Sequence, residues 1–559
     1  MKNIFYIIKL MSLTGLTLTL ALNVHAGNKS EKQELAPLPS TCGTYPEGEN
    51  DLGRILKDNT EALQARASMV YKANCEILVT YYTIASDEVA IAGFASLIQA
   101  ATKKYSYKNK DGDTVTANIK IKVLMDGLSH QVDRALAAAV LNNGWGKNIE
   151  IRTFKPFFLF DTSTWFNRLH DKLLVVDGLT VLSGGRNISE KYFGFAKDGF
   201  FDIDTMLIGS IGGKARKYFY QMWNREDVVP FNLGKYKATE LNKECDSESD
   251  SSDYLCWAES EHNGRQVKKY QQELTSSISK IEIMTDDNKQ VLKEEDITME
   301  LVEKEIENYM NGTSPLVEFD PDYEWFDFGG ISDNPAFENN GPIEVFYDNP
   351  NNEKSREHGI SGQMEAFFRR TIKPGAQLTI FTPYMILGEH GQKLIKALRN
   401  KNISVIVYTN SAKSSDNVFA QGVYRHKDSK NFLLKNGVGI WESKGPETLH
   451  LKGAIIKNPG EDEIFLLGTY NVDTRSAYLN HELVAAISPK SEFMYDMTNI
   501  FFDIESIVKN NGYEAGMKEG DPNYKNKEWW IEYKSTATWK RSVIFLLKHF
   551  SWKWLREQA

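Results

Sequence analysis

RLHDKLLVVDGLTVLSGGRNIS, residues 168–189, decides the fold of this chain. His170 and Lys172 stand two residues apart, and Asp177 follows five later. The alternation in HDKLLVVD puts His170, Lys172 and Leu174 on one side of a strand. An imidazole beside an ammonium makes a site for an anion. Gly184 and Gly185 let the backbone turn closely, and Asn187 adds amide donors. A single strand of this kind is a basic edge beside a turn and carries no chemistry by itself.

The pattern occurs twice. TLHLKGAIIKNPGEDEIFLLGTYNVD brings His450, Lys452, Gly468 and Asn471 into the same order: LHxK, an apolar strand, a turn, a second apolar strand, GxxN. The flanks repeat as well. EILVTYYTIASDE (76–88) matches QLTIFTPYMILGE (377–389), and IKIKVLMDGLS (119–129) matches ISVIVYTNSAK (403–413). IEIRTF (149–154) matches VGIWES (438–443), and FDIDTML (201–207) matches NHELVAA (480–486). The chain therefore holds two α/β units. Their bounds read 55–230 and 341–510, after residues 1–26 and a polar leader 27–54, with an insertion 231–340 between them and a tail 511–559 behind.

The doubled HxK(x)4D pattern with trailing GGRN and GTYN resembles the phospholipase D superfamily. YYTIASDE, GGRNISEKYFG, YDNP, TNSAKSSD and NVDTRSAYLNHE are similar to its bacterial cardiolipin-synthase-like branch. The resemblance implies an α/β fold of two mixed sheets flanked by helices, packed across a pseudo-twofold around one central cleft. It implies that His170 attacks phosphorus, forming a phosphohistidine, and that His450 protonates the leaving alcohol. Lys172, Lys452, Asn187 and Asn471 would hold the phosphoryl oxygens, so that no metal or cofactor is expected.

An imidazole nucleophile needs its second nitrogen tied to a carboxylate. Asp202 and Glu482 each lie 32 residues after the histidine of their own half, on the strand where the resemblance places such partners. Asp204 competes with Asp202. One position departs from the pattern: Lys457 stands where the second copy would carry Asp, and Glu461 or Asp462 is left to substitute in space. Asp126, in LMDG, reads as a turn cap, and Arg475 and Ser476 as shapers of the turn after the second motif.

MKNIFYIIKLMSLTGLTLTLALNVHA reads as a secretory signal with cleavage after Ala26, which predicts an exported, periplasmic or secreted enzyme. Cys42, Cys75, Cys245 and Cys256 are then free to pair, and the expected bridges are Cys42–Cys75 and Cys245–Cys256. The net charge is −9, or −11 without residues 1–26, which argues against general nucleic-acid binding.

In the insertion, ECDSESDSSD (244–253) reads as a solvated loop, followed by two helical stretches. The tail KSTATWKRSVIFLLKHFSWKWLR (534–556) holds six Lys and Arg and no acid. Helical projection groups Val543, Leu546, Leu547, Phe550 and Trp554, with Arg541, Lys548 and Arg556 broadly opposite. It reads equally as an interfacial helix on anionic lipid and as a helix packed on the body. Four functions fit these residues: phosphatidyl transfer to an alcohol, release of phosphatidic acid to water, a nuclease of the same chemistry, and a lipid binder with an inactive site. The acidic charge and the tail favour lipid. The expected partners are a phospholipid and a membrane surface, with catalysis by a monomer.

Overall fold

The computed structural model describes residues 38, 42, 52–108, 112–128, 132–142, 147–156, 168–238, 251–285, 338–339, 343–348, 359–426, 429–488, 491–515 and 536–549. The signal-peptide reading, Cys245 and the second helical stretch of the insertion lie outside these residues, as does the side chain of Cys256.

The first unit is built on β1 (Leu52–Leu56), β2 (Glu76–Tyr81), the polar hairpin β3 (Lys104–Lys108) and β4 (Thr114–Asn118), β5 (Lys120–Asp126), and β6 (Ile149–Phe154). It continues through β7 (Lys172–Val176), β8 (Thr180–Gly184), β9 (Phe200–Phe201), β10 (Asp204–Ile208) and β11 (Val228–Pro230). After the insertion, β12 (Glu338–Asn339) adds to the edge beside β1. The second unit runs β13 (Glu344–Tyr347), β14 (Gln377–Phe381), β15 (Ser404–Asn410), β16 (Gly439–Ser443), β17 (Thr448–Leu449), β18 (Gly453–Lys457), β19 (Ile464–Gly468), β20 (Leu483–Ile487) and β21 (Gly512–Glu514).

Among the described residues these strands form two large sheets, in the orders β11-β6-β5-β2-β7-β8-β10-β1-β12 and β13-β20-β19-β18-β14-β15-β16-β21. Read in opposite directions the two orders coincide, strand for strand, apart from β12. Each sheet has two parallel pairings, β2–β5–β6 and β14–β15–β16, and its other neighbours run antiparallel. The repeat inferred from the sequence is therefore a repeat of topology.

Three bounds move. The leader's last residues, Leu52–Arg54, are part of β1, which pairs with β10. The second unit extends past residue 510, because β21 closes its edge on β16. Ser251–Asp253 of the acidic stretch already belong to the helix Ser251–Thr285, which packs on helices Glu88–Thr102 and Arg134–Leu141 of the first unit. Short edge strands and helix starts carry too little apolar periodicity to register in the sequence.

The central strands are buried along their whole length, which is why EILVTY and KLLVV read as continuous apolar runs. Alternation divides their side chains between two cores. Leu174 and Val176 join the layer of helices outside the first sheet, while Leu173 and Val175 turn inward. There they meet Phe381, Ile455, Phe465 and Leu467 of the second sheet, so the two halves share one apolar interface. Phe465, 0 % exposed, lies 5.3 Å from the Phe501 ring within it. Cys42 and Cys75 form the expected disulfide, with Cα atoms 5.5 Å apart. Replacing Phe465 by Ala removes a ring from the shared core; equilibrium denaturation is expected to lose about 3–5 kcal/mol.

Candidate active site

Asp177 is the best-connected residue of the first motif, and it does not touch the histidine. It sits at φ +55° in the β7–β8 turn, followed by Gly178 at φ +65°. Its carboxylate accepts the backbone N–H groups of Asn74, Cys75 and Glu76 at 2.7–2.9 Å. The motif Asp, which its place in HxK(x)4D would set among the catalytic residues, is thus a clamp between β7 and the start of β2. In the second copy Lys457 pairs instead with Glu463 at 2.7 Å. The clamp passes to Asn458, whose Oδ1 accepts from Lys373 N at 3.0 Å and whose amide donates to Thr371 O at 2.9 Å. Glu461 joins it, contacting the Asn458 amide at 3.1 Å and the Lys373 ammonium. The missing Asp is replaced by a different residue doing the same backbone work.

The histidines lie just before their strands, and each is held by backbone of the other half. Leu169 bridges His481 in parallel register, with His170 N donating to His481 O at 3.0 Å and His481 N to Arg168 O at 2.8 Å. Likewise β17 pairs with β9, and His450 N donates to Phe201 O at 2.8 Å. These short cross-half ladders decide the carboxylate partners. His170 Nδ1 meets Glu482 at 2.9 Å, and His450 Nδ1 meets Asp202 at 2.6 Å. Each spacing of 32 residues was counted within one half; the pairs are in fact exchanged between halves. Chain separation cannot reveal this, because it is set by two backbone bridges that exist only after the halves dock.

With Nδ1 engaged, the His170 ring leaves Nε2 for a reacting atom, whereas the Lys452 ammonium lies 2.8 Å from His450 Nδ1 and 3.4 Å from its Nε2. Glu482 is fixed further by Thr469 Oγ1 and Ser476 Oγ, both at 2.6 Å, so Ser476 positions the carboxylate. Glycine is required where the carboxylate strand passes: a Cβ at Gly185 would stand 2.2 Å from Asp202 Oδ1, and one at Gly468 2.1 Å from Leu483 O. Neither glycine needs a left-handed backbone; close approach is the constraint. Asp204, the competitor, is engaged elsewhere: it pairs with Arg66 at 2.9 Å and Arg186 at 3.1 Å, behind the site. Asp126 caps its turn at Leu128 N and also neutralises buried Arg168 at 2.9 Å.

The lysines lie beside their histidines. Lys172 Nζ donates to His170 O at 2.7 Å, and Lys452 Nζ lies 3.8 Å from Asp202. Asn187 has one amide hydrogen on Tyr192 Oη at 2.9 Å and accepts from Thr83 N at 3.1 Å. Asn471 is buried and its Oδ1 has no hydrogen-bond partner among the described residues. Aromatic rings wall the histidines: Tyr82 stands edge-on to His170 at 5.1 Å, and Tyr192 and Phe200 flank His450 at 5.2 and 5.0 Å. None of these three rings was singled out in the sequence, where they look like ordinary core residues.

Electrostatics distinguish the two rings. Burial, then the positive charges of Lys172, Lys452, His450 and Arg475, holds His170 well below the usual histidine range. His450 is also lowered, by burial and Lys452, but Asp202 and Asp416 oppose the shift. Asp202 is pushed up by burial and pulled down more strongly by Lys452, His450 and Arg186, so it stays ionised. Glu482 is raised to about 7 by burial and Lys172 lowered to about 7 by burial. Arg475, half-buried, therefore acts on His170 rather than only shaping its turn.

Residues 369–504 match the family model described as cardiolipin synthase, PLD-like domain. The chain is 24 % identical to cardiolipin synthase C of Escherichia coli (strain K12) over 471 residues, 80 % of this chain and 81 % of that one. It is 22 % identical to an uncharacterized protein of Helicobacter pylori (strain ATCC 700392 / 26695) over 455 residues, 77 % and 74 % of the two chains. The crystal structure of phosphatidylserine synthase from Haemophilus influenzae Rd KW20 superposes with a TM-score of 0.54 at 13 % identity, covering 92 % of this chain and 97 % of that one.

Asp171, between the motif His and Lys, is fully buried against Tyr218 Oη, and burial raises it to about 7. The fold thus favours its protonated form. Stability from it is complete below the ordinary carboxylate range and lost as pH rises through about 7. The loss between pH 6 and 8 is about 1.4 kcal/mol. Asp171→Asn mimics the protonated state, so its thermal midpoint is expected to fall less over that interval than that of the unaltered protein.

Proposed function

The chain belongs to the phospholipase D superfamily, in its cardiolipin-synthase-like branch, and we propose that it transfers a phosphatidyl group between alcohols through a phosphohistidine on His170. The observation that carries this reading is the pair of neighbouring, electrostatically unequal histidines, each tied at Nδ1 to a carboxylate of the opposite half.

The low proton affinity of His170 keeps Nε2 unprotonated at neutral pH, as an attacking group requires. His450, beside ionised Asp202, is the better proton carrier. In the first step His170 Nε2 bonds to phosphorus, the ester bond to the leaving alcohol breaks, and His450 gives that alcohol its proton. In the second, His450 takes the proton of an incoming hydroxyl, whose oxygen bonds to phosphorus and releases His170. Lys172 and Lys452 stabilise the charge on the phosphoryl oxygens, and Asn471 and the remaining Asn187 hydrogen supply neutral donors. Phosphatidylglycerol as acceptor gives cardiolipin; water gives phosphatidic acid.

The aromatic walls around both rings favour transfer, because they restrict water at the phosphorus. The acidic chain favours lipid over nucleic acid. The Cys42–Cys75 bridge supports an oxidising, exported setting.

Mixed vesicles of phosphatidylethanolamine and phosphatidylglycerol, without divalent metal, are expected to yield cardiolipin in lipid product analysis. His170→Ala is expected to abolish it. Phosphatidic acid alone would replace transfer by hydrolysis, and product from the His170→Ala variant would sink the mechanism. Glu482→Gln keeps the shape but weakens the hold on the His170 tautomer. Steady-state kinetics should show kcat lower by roughly a hundredfold or more with KM little changed.

A further inference from the structure

The helix Thr538–His549 is seated on the helix Val418–Tyr424. Ile544, 1 % exposed, faces the body. Contact is close at Gly422, where an added Cβ would stand 2.5 Å from Leu547 Cβ. The residue that faces inward is absent from the apolar face projected from the sequence. Of that projected group Leu547 meets the body at Gly422.

Other apolar residues of the helix point outward. Trp539 and Phe545 are 62 % and 58 % exposed, and Ser542 between them is exposed too. They are two of the five large hydrophobic residues exposed among the described residues, and both fall on one twelve-residue helix. Lys540 and Arg541 follow Trp539 directly, and the stretch 534–556 carries six Lys and Arg without one acid, in a chain whose net charge is −9. Charge of this sign beside exposed aromatics is complementary to an anionic lipid interface.

The seat lies beside the histidine site. Lys540 Nζ donates to Ser415 O at 3.3 Å, and the next residue, exposed Asp416, accepts from Tyr384 Oη at 2.8 Å. Asp416 acts electrostatically on both His450 and Lys452, so the helix stands one residue from the rim of the site.

We propose that the outer face of the helix Thr538–His549 docks on the anionic surface of a phospholipid bilayer, burying Trp539 and Phe545 at head-group level and setting the His450 rim of the cleft against that surface. The docking rests on the proposed function only for what the cleft then does.

The test uses the full chain and sedimentation with phosphatidylcholine vesicles, with and without phosphatidylglycerol. Binding is expected to require phosphatidylglycerol and to weaken with added salt. The double variant Trp539→Ser/Phe545→Ser is expected to bind at least tenfold more weakly, while turnover of a short-chain phospholipid below its micellar concentration stays unchanged. Equal binding by the variant, or binding indifferent to phosphatidylglycerol and salt, overturns the proposal. A variant that also loses turnover of the dispersed lipid overturns it too, since the helix would then serve the cleft itself. Sedimentation is read without any lipid product, so failure of the docking and failure of the transfer reading are separable.

Discussion

The hydrogen bond from each motif histidine to a carboxylate of the opposite half is the constraint on which the site depends. It makes each half incomplete: His170 without Glu482 has no fixed tautomer, and neither has His450 without Asp202. The two parallel bridges, Leu169 to His481 and β17 to β9, carry backbone across the interface and aim the carboxylates. The shared apolar core beneath them, from Leu173 and Val175 to Phe465 and Leu467, holds the halves in the register those bridges need. The pairing of the two halves is therefore a requirement of the site.

Around this centre the chain buries many charges, and their partners show how each is tolerated. Arg168 meets Asp126, and Arg66 and Arg186 share Asp204, all within hydrogen-bond distance. Farther out, Glu442 is lowered to about 2 because Lys430 and Arg425 outweigh its burial. These pairs are expensive to desolvate, and breaking one leaves an uncompensated charge, so they fix geometry more than they add stability. Asp171, Glu482 and Asp348 lie on the other side of the balance, all raised by burial. Lys172, Lys452, His450 and Arg475 add to burial in lowering His170, while Asp202 and Asp416 oppose the lowering of His450, so the two rings are electrostatically unequal.

The two copies diverge where backbone support, not chemistry, is at stake. Asp177 clamps three N–H groups in the first copy. In the second, Asn458 and Glu461 clamp Lys373 and Thr371, and Lys457 turns to Glu463. A carboxylate whose only task is to accept backbone hydrogen bonds can be exchanged for an amide one residue on. A carboxylate that must hold an imidazole tautomer has no such freedom, and both copies keep it.

Periodicity and repetition were enough to read the α/β class, the doubled unit, both histidines and both lysines, because each leaves a local pattern of alternation or spacing; the two carboxylates came from the resemblance. The Cys42–Cys75 bridge was legible from the even number of cysteines. Edge strands β1, β13 and β21 were not, since a few residues on a sheet margin have little burial to shape their composition. Nor were Tyr82, Tyr192 and Phe200, whose types are common in any core. The sequence by itself determined which groups are present and on which strands. Only the tertiary structure decided that Glu482 serves His170 and Asp202 serves His450. The reason is physical: that pairing is made by hydrogen bonds across an interface whose partners lie 312 and 248 residues apart, a distance over which no local spacing rule acts.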